Sequence, residues 1–302
     1  MGIKEFDSKA PRRQSKRSDR LDGYKIKNTD YQSLVPFLMK PRDGSSIFFR
    51  ENIDVTKMVH YLDRKNALLK ENPNPNIKKY NYNLFFTSAI VRLFAIRYHL
   101  NRFVAGNDVF QRHSINMGYV VKKQLVDGAV TTITKSDFER YYNIEDVGEV
   151  LSSNIHDAKD ESGDEVNDFL DKLCLLPNFV IAFGVWLIDK LVTWGHIPKM
   201  IYKLDPMQCS VFVSNLGSIG LDNPPVHHLY NRGTCSVFVV IGEVQKQLVD
   251  GEDKYTCGLT VTLDERISDG LYFVNSLKEL RKIIQNPDQL DDRYYDYIID
   301  ED

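Results

Sequence analysis

The chain has 302 residues, with 39 basic and 42 acidic side chains and a formal net charge of −3. Because the chain is not strongly basic, its net charge gives it no overall electrostatic attraction to nucleic acid or to anionic membranes. With 42% hydrophobic and 27% charged residues, the composition is typical of a globular protein that can bury a sizeable core.

Residues 1–22 are predicted to form a flexible basic arm. They contain almost no apolar residue beyond Ile3 and Phe6, so they cannot offset the entropy cost of ordering. Two interpretations are open, an arm that binds a nucleic acid or acidic partner and a simple solvated tail, and we favour the second. No apolar stretch follows the charges, so we expect no signal peptide and a cytoplasmic protein. The basic residues are Lys4, Lys9, Arg12, Arg13, Lys16, Arg17 and Arg20.

The first elements after the arm are predicted to be short. Tyr31 to Lys40 reads as a short helix, with Asp30 placed to accept a hydrogen bond from its first turn. Phe48 to Asp63 reads as a strand followed by a helix, and Asp54-Val55-Thr56 marks the helix start.

A long helix and a hairpin are predicted next. Leu84 to Leu100 has apolar residues at near-helical spacing, which places Arg92 and Arg97 on the solvent side. The strand-like segments 118–121 and 130–133 flank Asp127-Gly128, a typical two-residue hairpin turn.

The middle of the chain contains its most apolar run. The acidic segment 156–165 is predicted to be a surface connection, followed by a helical region over 166–193 that is interrupted near Pro177. The run from Phe179 to Ile188 is about half the length of a membrane span, and Asp189-Lys190 ends it. We interpret it as a buried helix and expect no membrane partner.

The last third predicts three strands and a helix. The strands are 210–214, 236–244 and 259–263, and the final helix ends within 279–284. Residues 288–302 form an acidic extension, and no internal repeat is present. The order of elements predicts one α/β domain over 23–287, with a mixed sheet covered by helices.

The sequence lacks the motifs of several common kinds of functional site. The chain has no phosphate-binding glycine loop, no G-x-S-x-G segment and no zinc-type histidine spacing. Its aromatic residues are not interleaved with basic ones, so we expect no nucleic-acid partner. The cysteines form no C-x-x-C pair and are interpreted as buried, reduced thiols. These residues are Cys174, Cys209, Cys235 and Cys257, and the histidines in unrelated contexts are His60, His99, His113, His156 and His196.

Two segments carry a family resemblance. Residues 264–270 read D-E-R-I-S-D-G and resemble the D-H-R-x-x-D-G loop of dihydrolipoamide acyltransferases; chloramphenicol acetyltransferase carries a related H-H-x-x-x-D-G loop. About fifty residues upstream, 214–217 read S-N-L-G and resemble the S-N-x-G segment of the same enzymes. Residues 82–124 resemble the family's helix-then-strand core, so the similarity covers roughly 25–285.

The resemblance implies a fold, an assembly and a reaction. It implies a chloramphenicol acetyltransferase-like two-layer α/β sandwich that assembles as a homotrimer, with active-site channels at the subunit interfaces. Acyl-coenzyme A would enter one end of a channel and a thiol or hydroxyl acceptor the other. Coenzyme A is then a substrate, and no cofactor is covalently bound. The lipoyl and partner-binding domains of the family have no counterpart in this sequence, so we expect a free-standing domain.

The resemblance also implies residue roles. Ser214 takes the place of the hydroxyl that stabilises the oxyanion. Asp269 takes the place of the aspartate whose internal ion pair holds the loop, and its cationic partner would be Lys27 or Lys25. Residues lining the channel would include Asn215, Gly217 and Gly270.

Glu265 occupies the position of the family's catalytic histidine. A carboxylate with a pKa near ~4.3 is a poor base for a thiol near ~8.5, and complete transfer across that gap would cost roughly 5–6 kcal/mol. Burial can raise a carboxyl pKa by several units. Two interpretations stay open: an unusual carboxylate base, or a non-catalytic homologue that serves as a trimeric scaffold or acyl-coenzyme A-binding module.

A relocated base is the other possibility. His227 and His228 follow shortly after the S-N-L-G segment, in a stretch that borders the channel in the enzymes that the chain resembles. A neutral imidazole there could replace the missing one. The alternative is that the pair packs against a neighbour or caps a turn.

Overall fold

The computed structural model of the chain describes residues 19–26, 31–122, 131–160, 175–196, 198–199, 202 and 205–296. The described strands are β1 Gly23–Lys25, β2 Ser46–Asp54, β3 Arg102–Ala105, β4 Asp108–Arg112, β5 Ile115–Lys122, β6 Thr131–Phe138, β7 Val211–Asn215, β8 Val237–Val249 and β9 Glu252–Asp264. The described α-helices are α1 Val35–Leu38, α2 Thr56–Glu71, α3 Tyr82–Ile96, α4 Ile144–Asp160, α5 Asn178–Thr193 and α6 Gly270–Gln285. Strands and helices thus mix along the chain, as an α/β domain requires.

A six-stranded mixed sheet forms the centre, in the order β2-β9-β8-β7-β5-β6. The neighbours β5, β7 and β8 run parallel, and the other pairs are antiparallel. The long hairpin between β8 and β9 turns at Asp250 and Gly251, which both have positive φ, the backbone that a tight two-residue turn needs. A smaller sheet has the order β1-β4-β3.

The main core lies between one face of the large sheet and the helices. Alternate residues of β7 and β8, including Val211, Val213 and Val239, contribute to it, together with residues of α2, α3 and α6. This alternation follows from the two-residue period of a strand. The opposite face buries a smaller cluster that contains Phe212, Phe238 and Val240 and is partly covered by the segment 222–230.

Most predicted elements are confirmed, with differences at their solvent-facing residues. Arg92 of α3 was expected in solvent but is buried, and its guanidinium donates to the carbonyls of Gln289 and Asp292. The chain beyond α6 folds back over α3 and removes Arg92 from water, and this burial lowers its pKa. The prediction for Arg92 was therefore wrong, because amphipathic spacing does not reveal a later segment that covers the helix.

The two ends of the described domain make more contacts than their composition suggests. Arg20, at the end of the predicted solvated arm, is buried and donates to Asp22 and to the carbonyl of Val192. At the other end, Leu290 is buried and Asp291 accepts a hydrogen bond from Tyr61. Residues 1–18 and 297–302 lie outside the described residues.

Two predictions for the middle of the chain were wrong. The helix α4 continues to Asp160, where a surface connection from residue 156 was expected; the sequence 156–160 has neither glycine nor proline to end a helix. The part of the predicted helical region that follows Pro177 forms α5, but only Val192 is buried in it; residues 166–174 lie outside the described residues. No helix in the described parts of the chain is long and apolar enough to cross a membrane. Cys209, Cys235 and Cys257 are buried and free, as predicted, and Cys174 lies outside the described residues.

Candidate functional site

Ser214 lies near the end of β7, where the strand leaves the centre of the sheet. It pairs with Val240 of β8, which pairs in turn with Thr260 of β9. Residues paired across neighbouring strands in this way form one row of the sheet, and their side chains share a face. Ser214 is therefore on the face of the smaller cluster. It is half-buried, and its hydroxyl has no hydrogen-bond partner among the described residues.

The turn after Ser214 is tightly packed. The side-chain oxygen of Asn215 accepts from the backbone N–H of Ser218 at 3.2 Å, so this amide holds the turn. A Cβ on Gly217 would lie 2.3 Å from the carbonyl oxygen of Gly242. A side chain at Gly217 would therefore displace the backbone of β8, which explains the glycine by packing alone.

The loop 264–270 is anchored by Asp264, a residue to which the sequence assigned no role. Its buried carboxylate accepts from Nε and Nη2 of Arg266, both at 2.8 Å, and from the hydroxyl of Ser45 at 3.1 Å. The Nε of Arg42 lies 3.7 Å away. Burial lowers the pKa of Arg42 to about 10, while the charge of Asp264 opposes that shift. The D-x-R spacing was the only sequence signal for this anchor.

Among the described residues, Asp269 has no ion-pair partner. It is exposed, and its carboxylate accepts from the backbone N–H of Tyr272 at 2.8 Å as the N-cap of α6. Lys25 pairs instead with Asp108 at 2.8 Å, so its expected partnership with Asp269 was wrong. Lys27 lies outside the described residues. The physical reason is that the first N–H groups of a helix need an acceptor, and a carboxylate at its start provides one.

Gly270 begins α6 immediately after this cap. A Cβ at Gly270 would meet nothing within 4 Å. Steric space therefore does not require glycine at this position, in contrast to Gly217.

Glu265 is half-buried and makes no hydrogen bond or ion pair with the residues that the structure describes. Asp264, directly before it, lies four residues beyond Thr260 along β9. Since Thr260 is in the row of Ser214, about 13 Å of strand separates the two sites. The structure of one chain therefore does not bring Ser214 and Glu265 together.

His227 lies between these two positions, on the same face as Ser214. Its carbonyl accepts from the hydroxyl of Thr262, and its ring stacks on Phe238 at a centroid distance of 4.0 Å. Thr262 and Phe238 belong to one row, two residues from the row of Ser214. The imidazole therefore lies about 7 Å along the strands from the serine.

The two ring nitrogens of His227 have different surroundings. Nδ1 lies 2.6 Å from the carbonyl oxygen of His228. A carbonyl only accepts, so Nδ1 carries a proton, and in the neutral ring the lone pair is on Nε2. Within the described parts of the chain, no group bonds to Nε2. His228 itself is exposed, and its ring stacks on His227 at 5.1 Å.

Another histidine, His99, contacts the loop, although the sequence placed it in an unrelated context. Nδ1 of His99 lies 3.3 Å from the hydroxyl of Ser268, and its ring stacks on Tyr272 at 4.4 Å. His99 belongs to the turn between α3 and β3, 169 residues before Ser268. No local pattern in the sequence could have predicted this contact.

A cavity of about 320 Å³ lies beside the loop. It extends from Arg42 and Arg266 to Asp189 and Thr193 at the end of α5. Neither Ser214, His227 nor Glu265 lines it. The cavity therefore lies beside the loop and does not contain the candidate residues.

No protein-family model and no curated protein matches the chain. Among solved structures, it is similar to a truncated catalytic core of the 2-oxoacid dehydrogenase multienzyme complex from Thermoplasma acidophilum, with 14% identity over 87% of this chain and 98% of that one and a TM-score of 0.53. It is also similar to the dihydrolipoamide acetyltransferase of Azotobacter vinelandii, in which the catalytic roles of a serine, a histidine and an asparagine have been investigated. That match has 12% identity over 88% of this chain and 93% of that one, with a TM-score of 0.50. The cubic core of the pyruvate dehydrogenase multienzyme complex matches with the same values.

These similarities concern the fold. The predicted acyltransferase-type architecture is confirmed, with its mixed sheet and helices. At such low identity, fold and chemistry are separate questions. The trimer, the substrates and the residue roles stay predictions.

Proposed function

We propose that the protein transfers an acyl group from an acyl thioester, with acyl-coenzyme A as the expected donor, to a thiol or hydroxyl acceptor. Ser214 stabilises the oxyanion and His227 is the base. The observation that carries this proposal is the shared position of the two side chains on one face of an acyltransferase-type sheet, two rows apart.

His227 has the features that a general base needs. Its proton is on Nδ1, held by the carbonyl of His228, so the lone pair on Nε2 is available to an acceptor. An imidazole near ~6.5 is about two pKa units below a thiol near ~8.5, whereas a carboxylate is about four units below. Proton transfer to an imidazole therefore costs roughly half as much as transfer to a carboxylate.

Ser214 supplies the second requirement of acyl transfer. Its hydroxyl is unpaired among the described residues, so it can donate to the oxygen that becomes negative in the tetrahedral intermediate. The investigation of a serine and a histidine in the catalytic mechanism of the Azotobacter enzyme supports a role for these two residue types. In this proposal His227 takes the role that the resemblance gives to the residue at position 265.

The proposal includes an assembly. Glu265 is separated from Ser214 by about 13 Å of strand, so the arrangement implied by the resemblance requires Glu265 of another copy to approach Ser214. The similarity to the cubic core of a multienzyme complex favours such an assembly. In this arrangement Glu265 lines the site and orients the acceptor, while His227 takes the proton.

The test is the release of free coenzyme A from acetyl-coenzyme A, with dihydrolipoamide and a panel of thiols and alcohols as acceptors. We expect Ser214→Ala to lower turnover by roughly 100-fold or more, and His227→Asn by about 100-fold. The matched control is His228→Asn, which replaces the exposed neighbour and is expected to retain most of the activity.

Two outcomes would overturn the assignment. Full activity in His227→Asn together with loss in Glu265→Gln would make the carboxylate the base. If neither the wild-type protein nor the Glu265→His variant releases coenzyme A in the presence of an acceptor, the result would support the alternative of a trimeric scaffold or acyl-coenzyme A-binding module.

A further inference from the structure

The helix α5 exposes a large apolar surface. Phe179, Phe183 and Trp186 are 75%, 62% and 52% exposed, and Leu187 is exposed beside them. The rings of Phe183 and Trp186 stack at 5.7 Å. Contiguous exposed patches of large apolar residues mark interaction sites on soluble proteins, so this surface requires an explanation.

The width of the exposed arc limits what can cover it. At 100° per residue, the exposed apolar residues from Val185 through Phe179 to Leu187 span about 200° around the helix axis. A helix that packs against a protein surface buries an apolar stripe of about 100°. A helix about 10 Å in diameter that sinks roughly 5–10 Å into the boundary of a lipid bilayer is contacted over about half of its circumference or more.

Charged and aromatic residues at the end of the helix fit the same environment. Lys190 and Lys199 are exposed and form no ion pair with any described residue. Trp194 is also exposed. Tryptophan favours the membrane–water interface, and unpaired lysines are attracted by anionic lipid headgroups.

We propose that α5 docks the protein on the surface of a bilayer that contains anionic phospholipids. The uncharged run from Phe179 to Ile188 is about 15 Å long, half the thickness of a hydrocarbon core of ~30 Å. The helix can therefore enter one leaflet without crossing it. This inference does not depend on the proposed acyl transfer, and it revises the expectation of a buried helix without a membrane partner.

The base of the helix is fixed to the domain. Asp189 pairs with Arg232 at 3.2 Å, and the carbonyl of Val192 accepts from Arg20. Asp189 and Thr193 also line the cavity beside Arg266. Docking through α5 would thus hold the whole domain in a defined orientation on the membrane.

The sequence provides a direct reporter. The chain has two tryptophans, Trp186 on α5 and Trp194 directly after it, so its tryptophan emission reports on this region alone. Titration with vesicles of phosphatidylcholine and phosphatidylglycerol in equal parts is expected to shift the emission to shorter wavelength. The protein should also sediment with these vesicles, and brominated acyl chains should quench the emission.

Matched variants test whether vesicle binding depends on α5 or on exposed apolar residues in general. Phe179→Ser with Phe183→Ser keeps both tryptophans and is expected to weaken vesicle binding on the order of tenfold or more. The control is Leu34→Ser with Phe37→Ser, which removes two exposed apolar residues of similar exposure elsewhere and should bind like the wild type. Lys190→Glu with Lys199→Glu should weaken binding to anionic vesicles on the order of tenfold, with little effect on vesicles of phosphatidylcholine alone.

Three results would overturn the proposal. The first is an unchanged emission maximum and no sedimentation with anionic vesicles. The second is a wild-type protein that forms an oligomer and does not bind vesicles, while the Phe179→Ser, Phe183→Ser variant is monomeric. This result would identify a second copy of the chain as the partner that covers α5. The third is equal loss of binding in the control variant.

Discussion

Asp264 is the most heavily bonded carboxylate of the motif loop, although Glu265 and Asp269 are the residues that the family resemblance singles out. Two guanidinium nitrogens and the backbone N–H of Arg266 donate to it, as does the hydroxyl of Ser45, and Arg42 lies close by. These charges are buried, and a buried charge without its partner is costly. The geometry of the loop therefore depends on Asp264.

Replacing Asp264 tests this dependence. Asp264→Ala leaves two buried guanidinium groups without their anion, so we expect the free energy of unfolding to fall by about 3–5 kcal/mol, measured by urea denaturation. The control is Glu265→Ala, the half-buried neighbour without polar contacts among the described residues, which should cost less than about 1 kcal/mol. Equal losses in the two variants would contradict the assigned anchor.

At the residue scale, the sequence indicated candidate residues but not what each of them contacts. Ser214 and His227 were selected by motif and position, and they share a sheet face. Asp269 was given an ion pair with Lys27 or Lys25, and the described residues show it as the N-cap of α6. The contact of His99 with Ser268 joins residues far apart in the chain, so only the folded structure reveals it.

At the scale of elements, the start of α6 depends on a local contact of Asp269, which makes no ion pair with any residue that the structure describes. We expect Asp269→Ala to lose about 1 kcal/mol of stability, because the acceptor for the N–H of Tyr272 is removed. Asp269→Asn keeps an acceptor oxygen and should remain within a few tenths of a kcal/mol of the wild type. Equal losses in both variants, measured by thermal or urea unfolding, would indicate that the charge of Asp269 is needed for an ion pair.

The start of α2 predicts a pH dependence. Asp54 accepts from the backbone N–H of Thr56 at 2.9 Å, and its hydrogen bonds with Thr56 lower its pKa. A carboxyl with a lowered folded pKa stabilises the fold above its unfolded pKa of ~3.9 and loses that effect as the pH falls through the folded pKa. Asp54→Ala should therefore cost about 1 kcal/mol near pH 7, and the difference from the wild type should shrink below about pH 4. A difference that stays constant down to pH 2 would contradict this mechanism.

Element types were predictable because the apolar periods of strands and helices differ. The strands around Ser214 and before Glu265 and the helix from Tyr82 were found near their predicted positions. Burial was less predictable. An apolar run predicts that α5 avoids water, but it does not specify whether protein or lipid covers the helix. The burial of Arg92 was not predictable either, because the segment that covers it lies two hundred residues later in the chain.

At the scale of the whole molecule, the row structure of the sheet decides how a site can be assembled. Within one chain, the row of the sheet that His227 contacts is two residues from the row of Ser214. Glu265 follows β9 and lies five residues after Thr260, the residue of β9 in the row of Ser214. A base from His227 therefore belongs to the same chain as its serine. A contribution from Glu265 has to come from another copy.

Mixed oligomers distinguish these two sources. If Glu265 of one copy acts with Ser214 of another, coexpression of Ser214→Ala and Glu265→Gln chains should restore activity, because about a quarter of randomly formed interfaces combine the two intact residues. Ser214→Ala and His227→Asn chains should not restore each other, since the same chain must supply both groups. Coenzyme A release by differently tagged, copurified mixtures measures both cases, and oligomers made from either variant alone give the baseline. Restoration in the second mixture would place His227 and Ser214 of one site on different chains, and so would contradict the arrangement in which the sheet itself holds the base beside the oxyanion donor.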